Sequence, residues 1–179
     1  MPCSLLAVLG SQITALLLLA ACGGASEVSV HPIPGTEHSG VTATVVNVVD
    51  GDTVELQFPG REPEVVRLLG IDTPETVHPD RPVECFGPEA SARAAELLPS
   101  GSQVFVQRDA EARDRYGRLL AYLWTADGTF VNAELVAGGH ADLLVIAPND
   151  AHRVHLSTIV AEARARGAGM WAACPTGSG

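Results

Sequence analysis

The strongest constraint on this chain is a run of three β-branched segments, separated by two tight-turn signals, between residues 41 and 71. Residues 41–49 are rich in Val and Thr, a composition that suits a pleated, half-buried surface. Asp50-Gly51 signals a turn, and within 53–58 Val54, Leu56 and Phe58 alternate onto one face, the period of a strand. Pro59-Gly60 marks a second turn, and 65–71 is a third apolar run. The three form a meander. Gly87-Pro88-Glu89 then opens a helix, with Pro suited to the first turn and Glu facing the positive helix end. Alanine-rich sequence carries it to Leu98, and Pro99-Ser100-Gly101 stops it. Strands are expected at 104–108 and 118–124, where Leu119, Ala121 and Leu123 alternate with Leu120, Tyr122 and Trp124. A short helix over 131–137 ends at Gly138-Gly139. A last helix follows Pro148-Asn149-Asp150, with Leu156, Ile159, Val160 and Ala163 as its core stripe. Three strands, a helix, two strands and further helices suit an α+β fold: a small closed barrel with helical additions. No internal repeat is present.

The flanks have a different character. Residues 15–21 are an unbroken apolar run ending in Leu19-Ala20-Ala21-Cys22, small residues just before a cysteine. This looks like a bacterial lipoprotein signal over 1–21, with Cys22 as the lipid site; the run is too short for a membrane span. No Lys or Arg precedes it, although export signals normally begin basic. A buried N-terminal helix is the alternative, and the Gly23-Gly24 pair and Pro/Gly/Ser-rich sequence that follow disfavour it. Residues 22–40 read as a flexible tether, 41–174 as the folded domain and 175–179 as a disordered tail. The expectation is an exported protein held at the extracytoplasmic face of the membrane through Cys22. Cys3 would leave with the signal. Cys85 and Cys174 then remain in a compartment that permits disulfides. They form either a bridge or two free buried thiols. Both sit outside the apolar-periodic segments, which favours the bridge, and chain entropy over so long a loop would contribute roughly 4–5 kcal/mol.

Asp and Glu total 21 against 11 basic residues, all arginine, for a net charge of −10. Such a surface repels nucleic acid at long range, so any nucleic-acid chemistry needs a local cationic site, with a metal. Two segments offer one: Val49-Asp50-Gly51-Asp52-Thr53 and 67–75, which ends in Asp72-Thr73-Pro74-Glu75. A hard cation such as calcium takes several oxygen ligands. Asp52, Asp72 and the Thr73 carbonyl would supply three, with Asp50 acting through water. An Asp-Gly-Asp alone is more often a solvated turn. Pro74 stiffens the second turn, which could hold Asp72 on a metal and aim Glu75 at a water as a general base. Otherwise Glu75 is simply solvated. Arg67 and Arg118 could grip a phosphodiester, or each could serve a surface salt bridge. Strict strand alternation puts Arg67 on the face opposite Asp72, so a twist or bulge is needed to join them.

Taken together, these segments resemble the staphylococcal nuclease family. The matching pieces are 49–53, 67–75, Phe86-Gly87-Pro88-Glu89-Ala90-Ser91, Asp114-Arg115-Tyr116-Gly117-Arg118, Val131-Asn132 and Pro148-Asn149, in the family's order. The resemblance implies a five-stranded OB-fold barrel with about three helices and a calcium-dependent phosphodiesterase acting on DNA and RNA. It implies calcium on Asp52 and Asp72 with Thr73 assisting, Glu75 as the residue that handles water, and Arg67 and Arg118 on the phosphate. Water attacks phosphorus and the 5′ oxygen leaves, giving 3′-phosphate ends. Arg115 and Tyr116 would lie against the nucleotide. A monomer without a protein partner is expected. Two departures stand out: the acidic charge, and Leu144 and Ile146 where the family has tyrosines, a loss worth about 1–3 kcal/mol of base stacking. A non-catalytic OB-fold module binding nucleic acid, or an envelope interaction module, is the alternative; the intact Asp52, Arg67, Asp72, Glu75 and Arg118 argue for catalysis. His152 and His155 read as a solvated helix face rather than a metal pair, His78 carries no role, and Tyr122 and Trp124 read as packing residues.

Overall fold

The computed structural model describes residues 41–76 and 82–174; the expected signal, Cys22, the tether, His78 and the tail lie outside the described residues. Strands β1 (Val41–Asp50), β2 (Thr53–Gln57) and β3 (Glu64–Leu68) form the meander. A short β4 (Gly70–Asp72) and helix α1 (Gly87–Leu97) follow, then β5 (Gln103–Gln107) and β6 (Leu119–Thr125). Helix α2 (Val131–Ala137), a short β7 (Asp142–Leu144), α3 (Arg153–Ala165) and α4 (Met170–Ala173) complete the domain. The barrel closes in the order β1-β2-β3-β6-β5, with β3 and β6 parallel and the other pairs antiparallel. This is the OB-type barrel with helical additions that the sequence pattern predicts.

Alternation fills the barrel. Ala43 and Val45, Val54 and Leu56, Val66 and Leu68, Val104 and Val106, and Ala121 and Leu123 are all buried. Strand β6 is buried on its other face too: Tyr122 and Trp124 pack around Phe130, whose ring stacks 4.5 Å from that of Trp124. The expected packing role of both residues holds. His152 differs from the sequence reading. It is half-buried, its ring 4.5 Å from Tyr122 and 5.0 Å from Phe130, while His155 is exposed. The cause is its place just before α3, where the chain folds back onto β6.

The expected third strand is cut in two. Strand β3 ends at Leu68, and β4 begins at Gly70 with φ at 77°. The backbone conformation calls for glycine, and a Cβ on residue 70 would also lie 2.7 Å from Leu156 Cδ1, which would have to shift. Asn132, fully buried at the start of α2, clamps this break. Its Nδ2 donates to the Leu69 carbonyl at 2.8 Å, and its Oδ1 accepts the Leu123 N–H at 3.1 Å. Segments β7 and α4 are three and four residues long, too short to show a period in sequence. Cys85 and Cys174 form the expected disulfide across 89 residues, joining the entry to α1 with the end of α4. Among the described residues, no helix is long and apolar enough to cross a membrane.

Replacing Asn132 with Ala leaves the Leu69 carbonyl and the Leu123 N–H without their partners in the core. Each buried unpaired group costs about 1–3 kcal/mol, so N132A should lower stability by roughly 2–4 kcal/mol in urea titration. A loss under about 0.5 kcal/mol, the range of an ordinary surface substitution, would show that the clamp is dispensable.

Candidate active site

The site starts at the β1–β2 turn. The β1–β2 register slips between Val45 and Asn47 and again between Val48 and Asp50, so Asp50 pairs with Thr53 rather than with inward-facing Val54 and is buried on that other face. The two carboxylates of the turn serve different partners. Asp50 Oδ1 accepts Thr76 Oγ1 at 2.6 Å, Ser91 Oγ at 2.8 Å and the Gly51 N–H at 2.8 Å. It thereby ties this turn to the segment after Pro74 and to α1. Burial pushes the Asp50 carboxyl up, but hydrogen bonds with Glu75, Thr76, Ser91 and Gly51 outweigh it and hold it below the usual range. Asp52, also buried, accepts the Thr73 N–H at 3.0 Å and pairs with Arg67 at 2.9 Å.

Arg67 is the hub. Its Nη1 donates to the carbonyls of Leu68 and Ile71, both at 2.9 Å. Its Nη2 reaches Asp52 at 2.9 Å and Asp72 at 2.8 Å. The break at Leu69-Gly70 supplies the irregularity that alternation requires, and it turns Asp72 back toward Arg67. Burial pushes the Asp72 carboxyl up; Arg67 opposes this, while Asp52, Glu84 and Asp142 add to it. Asp142 stands opposite Asp72 in the β4–β7 ladder and is paired in turn with Arg164 at 2.6 Å.

Glu75 sits on the turn that follows. Its N–H donates to Glu84 Oε2 at 3.1 Å, its carbonyl accepts the Glu84 N–H at 2.9 Å, and its Oε1 accepts the Thr76 N–H at 3.1 Å. Arg118 is held by Asp114, which accepts its Nε at 2.6 Å and its N–H at 2.9 Å, along with the Tyr116 N–H at 2.9 Å. Gly117, at φ 84°, makes the turn between them. The Arg115 guanidinium lies 4.7 Å above the Tyr116 ring and that of Arg118 5.6 Å from it. Buried Asn149 braces this loop by bonding both the N–H and the carbonyl of Glu111. Arg67, Arg115, Tyr116, Arg118, Leu144 and Ile146 line one cleft of about 530 Å³. The structure therefore joins Arg67 to Asp52 and Asp72 directly, and places it in a cleft with Arg118, Arg115 and Tyr116. Glu75 sits on the adjoining turn, which Asp50 ties down through the Thr76 hydroxyl.

The donor set fits a hard cation. Asp52 and Asp72 converge on a single nitrogen, and Asp72 lies among excess negative charge. Thr73 Oγ1 beside them is buried without a hydrogen-bond partner, packed against Gly51 where a Cβ would come within 2.8 Å. Among the described residues, no three His, Cys, Asp or Glu side chains are grouped to hold a metal. Neutral oxygens, from Thr73 and water, would have to complete a shell that calcium tolerates. Roles for Thr76, Ser91, Glu84, Asn132 and Asn149 were not read from sequence. The available signal was an Asn in an otherwise apolar start to α2, and another after Pro148.

Asp114 gives a pH dependence. Burial pushes its carboxyl up, but hydrogen bonds from Arg118 and Tyr116 hold it below its usual 3.8. A depressed value means stabilisation that is complete above pH 3.8 and lost as pH falls through the folded-state value. D114A should melt a few degrees below the parent at neutral pH, and the gap should close in acid. A gap that stays constant from neutral pH down to strong acid would exclude the ionised carboxylate as its source.

The profile of the family described as "Staphylococcal nuclease homologue" matches residues 65–173. The chain is 38% identical to a thermonuclease of Staphylococcus intermedius over 76% of its own length and 79% of that protein's. It is 34% identical to a thermonuclease of Staphylococcus hyicus over 73% and 75% of the two chains. Endonuclease YncB of Bacillus subtilis (strain 168) is 40% identical over 64% of this chain and 56% of the other. With an OB-type barrel, an arginine bridging two aspartates and these relatives, the chain belongs to the staphylococcal nuclease family.

Proposed function

We propose that this protein is a calcium-dependent nuclease that hydrolyses phosphodiester bonds of DNA and RNA. The observation that carries the reading is Arg67: one guanidinium that contacts Asp52 and Asp72 and also borders the cleft holding Arg118 and Tyr116. The relatives named thermonuclease and endonuclease support the same class.

Asp52, Asp72 and Thr73 would hold the calcium ion, which when bound draws charge from a phosphate oxygen. Arg67 and Arg118 bind the phosphodiester and stabilise the charge that builds on it. Glu75 orients a water and takes its proton as the oxygen attacks phosphorus. The 5′ oxygen leaves, giving 3′-phosphate ends. Arg115 and Tyr116 bear on the nucleotide, and Leu144 and Ile146 offer it an apolar wall in place of aromatic rings. A cleft in an acidic surface favours single-stranded or denatured substrate over a duplex, whose charge density is higher.

The same reading covers the rest of the chain. Residues 1–21 act as a lipoprotein signal, Cys22 carries lipid, 22–40 tether the domain and 175–179 form a tail. The protein works as an exported, membrane-held monomer. A disulfide suits the oxidising side of a membrane.

The test is hydrolysis of heat-denatured DNA by the protein beginning at Gly23, with calcium and with a chelator. Cleavage with calcium, abolished by chelation, is expected; a folded, calcium-loaded protein that leaves DNA intact would overturn the reading. E75Q should lose most turnover while calcium affinity stays nearly unchanged. R118A should lose about 10²–10³-fold in kcat, the range seen when a donor to developing negative charge is removed. Near-parental turnover in either variant would remove that residue from the mechanism.

A further inference from the structure

We propose that the Cys85–Cys174 disulfide holds the Glu75 turn in its working geometry, making the nuclease fast when the bridge is closed and slow when a dithiol opens it. The proposal rests on the nuclease reading, with Glu75 as the base.

Four consecutive residues carry the argument. Glu84 closes the base of the Glu75 loop at two points, donating its N–H to the Glu75 carbonyl and accepting the Glu75 N–H. Cys85 comes next and is bonded to Cys174. Phe86 follows in a left-handed conformation, φ 69° and ψ 5°, that a bulky side chain adopts only under constraint. Its ring rests 5.4 Å from that of His140, just past α2. Gly87 then packs so closely on the turn that a Cβ would lie 2.8 Å from Thr76 Cγ2 and 3.0 Å from the Glu75 carbonyl oxygen. The segment from Glu84 to Gly87 is thus a wedge between the Glu75 turn and the C-terminal helices.

The far end of the bridge is anchored. The Met170 N–H donates to the Gly139 carbonyl at 2.9 Å, and a Cβ on residue 139 would fall 2.0 Å from the Ala168 carbonyl oxygen. Arg164 covers the Trp171 ring at 4.3 Å. Cys174 therefore hangs from a post that Asn132 ties to the strand break beside Arg67. With the bridge open, Phe86 can leave its strained conformation, and Glu84 moves with it. Cys85 is exposed to solvent and so open to attack. A dithiol would pass two electrons and two protons to the bridge, leaving two cysteine thiols and closing into its own disulfide.

The experiment compares oxidised, dithiol-reduced and reoxidised full-length protein, with calcium and denatured DNA, well below the melting point of each. Reduction should lower kcat about tenfold with KM within about twofold, since misplacing a group by about 1 Å can cost up to about a hundredfold. Reoxidation should restore it, and C85A/C174A should stay slow with or without reductant. Amide exchange at Glu75 and Glu84 should quicken on reduction, while that at Leu68 and Leu123 should not. Equal kcat for oxidised and reduced protein would overturn the proposal. Should the reduced form unfold, E84A with the bridge intact takes its place: the same fall in kcat is expected, and parental kcat overturns the brace. An oxidised protein with no activity at all would instead refute the nuclease reading. The exchange at Glu75 and Glu84 would then decide the brace by itself, unchanged protection on reduction sinking it.

Discussion

A single guanidinium organises the functional end of this barrel. Arg67 satisfies two backbone carbonyls, of Leu68 and Ile71, on either side of the break between β3 and β4, and two carboxylates, Asp52 and Asp72. Arginine alone among side chains offers this: a planar fork of five donors whose charge persists at any relevant pH. The carbonyl contacts hold the irregular backbone that a continuous strand would not need. The carboxylate contacts draw together two like charges that would otherwise repel. Removing Arg67 would leave two carboxylates and two backbone carbonyls without this partner, so fold and site are coupled through this residue.

Asp50, Asp52 and Asp72 show how one residue type is tuned by its surroundings. Asp50 is buried among donors from Gly51, Thr76 and Ser91, and its negative charge is absorbed structurally. Asp72 is exposed beside Asp52, Glu84 and Asp142, with Arg67 as the compensating cation. Charge left without full compensation at Asp72 is what a divalent ion would neutralise. The hydrogen-bonded carboxylate of Asp50 is suited instead to fixing the turn that carries Glu75. The short distance in sequence from Asp50 to Asp52 conceals this division of labour, because the tight turn at Gly51-Asp52 sends their side chains to different neighbours.

The barrel was legible because alternation in β2 and β6, the turn pairs at Asp50-Gly51 and Pro59-Gly60, and the α3 stripe are local signals with strong periods. The break at Leu69 was not legible as such. Leu68, Leu69 and Ile71 are all apolar and all buried, so nothing in composition marks where the strand stops. Alternation did show that Arg67 and Asp72 could not share a face of a regular strand. That conflict located the irregularity without revealing its form. Gly70, which in sequence could be any strand glycine, takes a left-handed φ of 77° at the break and packs against Leu156, far along the chain in α3. His152 was misread for the same reason: its helix face looks polar until the aromatic cluster on β6 and Phe130 is placed against it. Long-range contacts of this kind leave no periodic trace.

The acidic surface and the three arginines of the cleft belong to one design problem. Outside the cleft, Arg61, Arg93, Arg113 and Arg164 pair with Glu64, Glu134 and Asp142. Within it, Arg115 and Arg118 are gathered around the Tyr116 ring, where an aromatic face holds two cations close together at little cost. Facing them, Leu144 and Ile146 are exposed and apolar. Under the proposed function, a base entering this cleft would meet dispersion contacts on that wall rather than stacking, so less of its binding free energy would come from the base. More would have to come from the phosphate, through arginines already positioned by Asp114 and by the two aspartates. Such an arrangement would exchange nucleotide grip for charge placement, and tie substrate binding to the same residues that would hold the cation.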